Sequence, residues 1–192
     1  MSQPASKTTA RSAAEEALLD AAERLLVDVG HAGITTRKLA EEAGVNHGLV
    51  HYYFGSNENL LVRALERFTE RLIERQRELY ASDLPFVEKW RTAMRYLVSE
   101  DVTYEKVWLE LQAMAWNDEV MRGRLAQVND EWRAVLTEAL REPHRELGVE
   151  MPLEALVSLV ITFNLGIIVE RLGGIETGHA ELLGWIDGWL SS

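Results

Sequence analysis

Two short helices separated by two residues constrain this chain more than anything else in it. Thr35 opens a run that carries Leu39, Ala40 and Ala43 at helical spacing and stops at Gly44. Asn46 opens a second run that ends near Phe54 and Gly55. Thr and Asn side chains accept backbone N–H groups at a helix start, and glycine takes the left-handed conformation in which helices end. Residues 35–43, the pair Gly44-Val45 and residues 46–54 therefore read as helix, tight turn and helix. An amphipathic helix over residues 13–29 precedes them, with Ala17, Leu18, Ala21, Ala22, Leu25, Leu26 and Val29 on one stripe and Gly30 and Gly33 behind it. Three helices of this size share one small core, which Leu39, Ala40, Ala43, Val45, Val50 and Phe54 are expected to fill.

The rest of the chain is read the same way. Ser56 or Asn57 caps a long fourth helix reaching about Tyr80, with Leu60, Leu61, Ala64, Leu65, Phe68, Leu72 and Leu79 on one side and alternating Glu and Arg on the other. Helices follow over about 85–100, 104–116, 119–142, 153–172 and 177–190, with 143–152 as a loop. The spacing predicts an all-α protein of about nine helices with no strand. Residues 1–12 are expected to form a disordered arm, 13–57 a three-helix helix-turn-helix domain, and 58–192 a second helical domain.

Composition excludes several classes. The chain has no cysteine, so disulfides and thiol chemistry are out. There is no glycine-rich phosphate loop, no Ser/His/Asp signature and no HExxH, so no enzyme, cofactor or metal is expected. The first twelve residues lack an apolar stretch and do not read as a signal peptide. The most apolar stretch, 155–169, is interrupted by Ser158, Thr162, Asn164 and Gly166 and is shorter than the roughly 20 residues that span a bilayer, so a cytoplasmic chain with no membrane contact is expected. The formal net charge is −11, unlike a nonspecific nucleic-acid binder. Residues 1–56 carry five Lys or Arg against seven acids, so DNA binding must rest on a small local positive face.

A recognition helix reads bases from its first turns. Asn46, His47, Leu49, His51 and Tyr52 stand there; Gly48 permits close approach, and Leu49 suits a thymine methyl. Arg37 can reach guanine or phosphate, and Thr35 and Thr36 sit at a helix start that favours a phosphate. His47 and His51 also have the spacing of a metal pair, but no third ligand stands nearby in the sequence. The stretch Gly33 to Leu61, with Thr35-Thr36-Arg37-Lys38-Leu39-Ala40, Gly44-Val45, Gly48, Tyr53-Phe54, Ser56, Glu58 and Leu60, resembles the DNA-binding signature of the TetR family of bacterial repressors. The resemblance implies operator contacts at Arg37, His47, Leu49, His51 and Tyr52, and phosphate contacts at Thr36, Tyr53 and Asn57. It also implies departures, since the family usually has Thr, Tyr and Lys where this chain has Leu49, His51 and Asn57.

All six tryptophans lie beyond residue 89. Trp90, Tyr104, Trp108, Trp116, Trp132 and Phe163 read either as ordinary core or as the walls of a pocket for an apolar or aromatic small-molecule effector, and the resemblance favours the pocket. The helix over 153–172 is apolar nearly all round and must bury more than one face. Together with the last helix it is expected to form a two-fold homodimer interface through Phe163, Ile167, Leu182, Trp185, Ile186 and Trp189, with Gly184 and Gly188 allowing close approach. The function expected is a ligand-responsive transcription regulator, a repressor that binds a palindromic double-stranded DNA operator as a dimer. The alternative is a ligand-binding or protein-interaction module that has lost DNA binding.

Overall fold

The fold comes from a computed structural model that describes the backbone of residues 5–12 and the whole of residues 13–148 and 150–191. Among these are nine α helices and no strand. They are α1 (Ala5–Val29), α2 (Thr36–Ala43), α3 (Gly48–Phe54), α4 (Asn57–Ala81), α5 (Phe86–Arg95), α6 (Val102–Ala115), α7 (Glu119–Glu146), α8 (Leu153–Leu172) and α9 (His179–Leu190). A 3-10 turn, His31–Gly33, joins α1 to α2.

Three boundaries differ from expectation, each for a physical reason. Residues 5–12, expected within the disordered arm, extend α1. Their alanines and basic residues favour helix, and lengthening an existing helix avoids the cost of nucleation. The arm's first four residues lie outside the described residues. α7 runs through Pro143 instead of stopping before it, because proline's fixed φ is helical and the chain sacrifices only one N–H bond. The Pro143 carbonyl still accepts from Leu147 N–H at 2.9 Å. Beyond α5 the chain widens into a π turn over Tyr96–Glu100, closed by Asp101 N–H donating to the Tyr96 carbonyl at 2.9 Å.

Two compact units are present. The first holds residues up to 70 together with 107–128 and therefore takes in more than the helix-turn-helix. Leu18, Leu39, Val50, Leu60, Leu61, Leu65, Leu111 and Leu125 are among its fully buried side chains. Ala43, Val45 and Phe54, expected in this core, are half-buried at its edge. Arg67 on α4 clamps α1 by bonding Glu16, Asp20 and Glu23 at 2.7–2.8 Å. Arg124 on α7 bonds Glu66 on α4 at 2.8 Å. The second unit holds residues 71–106 and 129–192, with Ile73, Ala93, Met94, Val135, Val157, Ile167 and Ile168 buried. Arg91 on α5 grips Asp187 on α9, and His179 on α9 bonds Glu170 on α8 at 2.7 Å.

Candidate nucleic-acid interface

The reading head is assembled by caps. Thr35 is extended (φ −129°, ψ 157°), and its hydroxyl oxygen accepts from Lys38 N–H at 3.2 Å, which starts α2. Gly44 ends α2 in the left-handed conformation (φ 67°, ψ 29°), and Val45 N–H returns to the Ala40 carbonyl at 3.0 Å. Asn46 Oδ1 accepts from Gly48 N–H at 2.9 Å, so the expected cap is present, although α3 proper begins two residues later. Ser56, not Asn57, caps α4, by accepting from Asn59 N–H at 3.1 Å.

Around these caps several polar groups are exposed. Arg37 is 87% exposed in its side chain and pairs with Glu41 one turn on, at 2.7 Å. That neighbour raises its pKa, so the guanidinium stays charged. A surface pair this exposed is weak and easily exchanged for another partner. Lys38 is exposed, and its Nζ donates to the Gly33 carbonyl at 3.2 Å. Thr36 donates to Asn57 Oδ1 at 2.9 Å, which brings two expected phosphate contacts together. Asn46, His47, Gly48, His51 and Tyr52 are exposed, whereas Leu49 and Tyr53 are half-buried. Tyr52 and Tyr53 meet edge to face with ring centroids 5.0 Å apart. Among the described residues no group of three or more His, Asp or Glu is placed to hold a metal.

Two contributors were not among the expected site residues. Gly55 ends α3 at φ 76°, and its carbonyl lies 2.9 Å from His51 Nδ1. A glycine after Phe54 signals a helix end, but not that its carbonyl holds a histidine ring. Glu110 on α6 accepts from His31 N–H at 2.7 Å and anchors the turn that leads into α2. No local pattern announces a partner 79 residues away.

In the second unit an open cavity of about 700 Å³ is lined by Arg77, Tyr80, Leu84, Phe86, Val135 and Pro143, with Lys89, Glu138, Glu142 and Glu146 among its polar wall groups. Burial pushes the Tyr80 hydroxyl up to about 12. None of the six aromatic residues expected around an effector lines this cavity. Tyr104 is buried; Trp90, Trp108, Trp132 and Phe163 are half-buried; Trp116 is 74% exposed. The outer helices divide the expected interface residues. Leu182, Trp185 and Trp189 are exposed and Phe163 and Ile186 half-buried, but Ile167 is buried within its own protomer. By length and composition α8 could cross a membrane, being 20 residues long where a shorter apolar stretch was expected. Of its most apolar 18-residue window 17% is buried, and Leu159, Val169 and Leu172 are exposed.

Residues 18–64 match the model for bacterial regulatory proteins of the tetR family. The HTH-type transcriptional repressor KstR2 of Rhodococcus jostii is 31% identical over 61% of this chain and 55% of its own length. The HTH-type transcriptional regulator BetI of Rhizobium meliloti is 40% identical over 30% of this chain and 28% of its own. The match thus spans about half or less of these curated relatives. The transcriptional regulator FadR of Bacillus subtilis, solved with stearoyl-CoA, has a similar fold, with a TM-score of 0.72 and 18% identity over 92% of this chain and 97% of FadR.

Proposed function

We propose, from the match of residues 18–64 to the model for bacterial regulatory proteins of the tetR family, that the chain is a ligand-responsive repressor of that family which binds a palindromic operator as a homodimer. The observation that carries this reading is the capped helix-turn-helix, which holds Arg37, Asn46, His47, His51 and Tyr52 exposed on one small unit. Residues 13–57 read DNA, and 58–192 bind effector and partner, in the cytoplasm. Thr35, Thr36, Tyr53 and Asn57 serve the phosphates, while Gly48 and Leu49 shape the approach to the groove.

The effector site we favour is the cavity of the second unit, whose size suits a small molecule. Leu84, Phe86, Val135 and Pro143 suit an apolar body, and Arg77, Lys89 and the three glutamates suit a polar head. α4 carries Asn57 at one end and the cavity residues Arg77, Tyr80 and Ala81 at the other. Effector binding then shifts operator affinity through α4, and DNA must weaken effector binding equally, with a coupling of about 1–3 kcal/mol.

Selection of bound sequences from random duplex DNA tests this reading, with Arg37→Ala in parallel. The expected result is an inverted repeat for the wild type and none for the variant. If no sequence is enriched even at low salt, the DNA-binding reading is wrong, and the alternative of an interaction module, favoured by the acidic charge, stands in its place.

A further inference from the structure

Resting on the DNA-binding reading above, we propose that His51 is a specificity residue. It accepts a hydrogen bond from the amino group of one base, so that each half-site carries adenine or cytosine at that position.

One hydrogen bond decides the chemistry of the ring. His51 Nδ1 lies 2.9 Å from the Gly55 carbonyl oxygen. A carbonyl has no proton to give, so Nδ1 must carry one. In the neutral imidazole the other nitrogen, Nε2, is then an acceptor. Gly55 is itself held in place. Its N–H donates to the His51 carbonyl at 3.0 Å, and its φ of 76° is a conformation other residues rarely adopt. This bond favours one tautomer and one ring orientation before DNA arrives, on an exposed side chain of α3.

In the major groove the hydrogen-bond donors are the adenine N6 and cytosine N4 amino groups. Guanine O6 and N7 and thymine O4 are acceptors. A ring presenting a lone pair is matched to the first pair and opposed by the second. A phosphate oxygen is an acceptor too, so Nε2 can meet it only after taking up a proton. Arg37 is a donor throughout, and Asn46 already accepts at Oδ1 from Gly48 N–H, with its NH2 group left as a donor. His51 thus supplies an acceptor at Nε2, and an acceptor calls for an amino base.

The test is selection from random duplex DNA with the full chain as wild type, His51→Ala and His51→Arg. The wild type should retain adenine or cytosine at one position in each half-site. His51→Ala should lose that preference, about tenfold, at that position alone. His51→Arg should move the position to guanine. The proposal is overturned if His51→Ala selects the same site as the wild type. It is also overturned if that variant weakens all sequences alike with a shallower salt dependence, the sign of a phosphate contact. If no protein enriches any sequence, the DNA-binding reading itself fails and takes this one with it. Nitrogen-15 spectra of the free protein give an independent readout. The His51 ring should carry its proton on Nδ1, and a neutral ring protonated on Nε2 would refute the assignment whatever the selection shows.

Discussion

At the scale of single residues, the least comfortable group in the chain is Glu105. It is half-buried at the start of α6, close to Asp101, which is buried and bonded to Arg75. Burial first, and the Asp101 charge second, push its carboxyl up from 4.5 to about 8. Between those two values the unfolded chain has given up this proton while the folded chain keeps it. Unfolding then releases a proton, so stability falls as pH rises through that window and levels off above 8. Glu105→Gln removes the cost. Its melting temperature should match the wild type near pH 4 and exceed it increasingly towards pH 8, at about 2–4 °C for each kcal/mol. A gap that stays constant over that range, followed by calorimetry, would count against this account. Glu105 was not legible in the sequence, where it is one of many acids on helix faces. The donor and acceptor roles of the reading head were partly legible. Thr35 and Asn46 announce themselves as caps, but the bonds from Thr36 to Asn57 and from His51 to Gly55 need the folded backbone.

At the scale of elements, the first three helices follow local rules closely, because their caps and apolar spacing all act within a few residues. Where a distant partner decides, the sequence is silent. Gly30 shows this best. Its φ of 67° and ψ of 173° lie in a region open essentially to glycine alone. A Cβ there would also meet Glu110 Oε1 at 3.1 Å, next to the oxygen that accepts from His31 N–H. Gly30→Ala should therefore lose about 1–3 kcal/mol from the backbone alone and expose the His31 amide. Gly44→Ala, left-handed at φ 67° but with open space around its Cβ, should lose less. Chemical denaturation of both variants, with amide exchange at His31, decides the matter. Equal losses with His31 still protected would mean that Glu110 does not hold this turn.

At the scale of the whole molecule, the open question is what covers α8. A helix that is apolar nearly all round has no amphipathic face, so the sequence could name its residues as interface without saying which way each points. The fold separates them. Ile167 and Ile168 turn inward, while Ala155, Leu159, Thr162, Gly166 and Val169 form an exposed stripe spaced by alternating steps of four and three. Leu159 is 53% exposed and Val169 50%, and on α9 Trp185 is 69% and Trp189 47% exposed. Small residues beside branched ones let two helices approach closely, and a stripe of this period meets its own copy across a two-fold axis. A second copy of the chain is therefore the cover that fits the dimeric reading. Leu159→Glu places a charge at the middle of that stripe and should give monomers in sedimentation. It should also reduce binding to the full inverted repeat far more than binding to a single half-site, because each reading head is left intact. Leu147→Glu, at a 41%-exposed position beyond the end of α7, should leave the dimer as it is. If Leu159→Glu sediments at the same mass as the wild type, the partner does not sit on α8, and the exposed apolar stripe must be assigned to another protein.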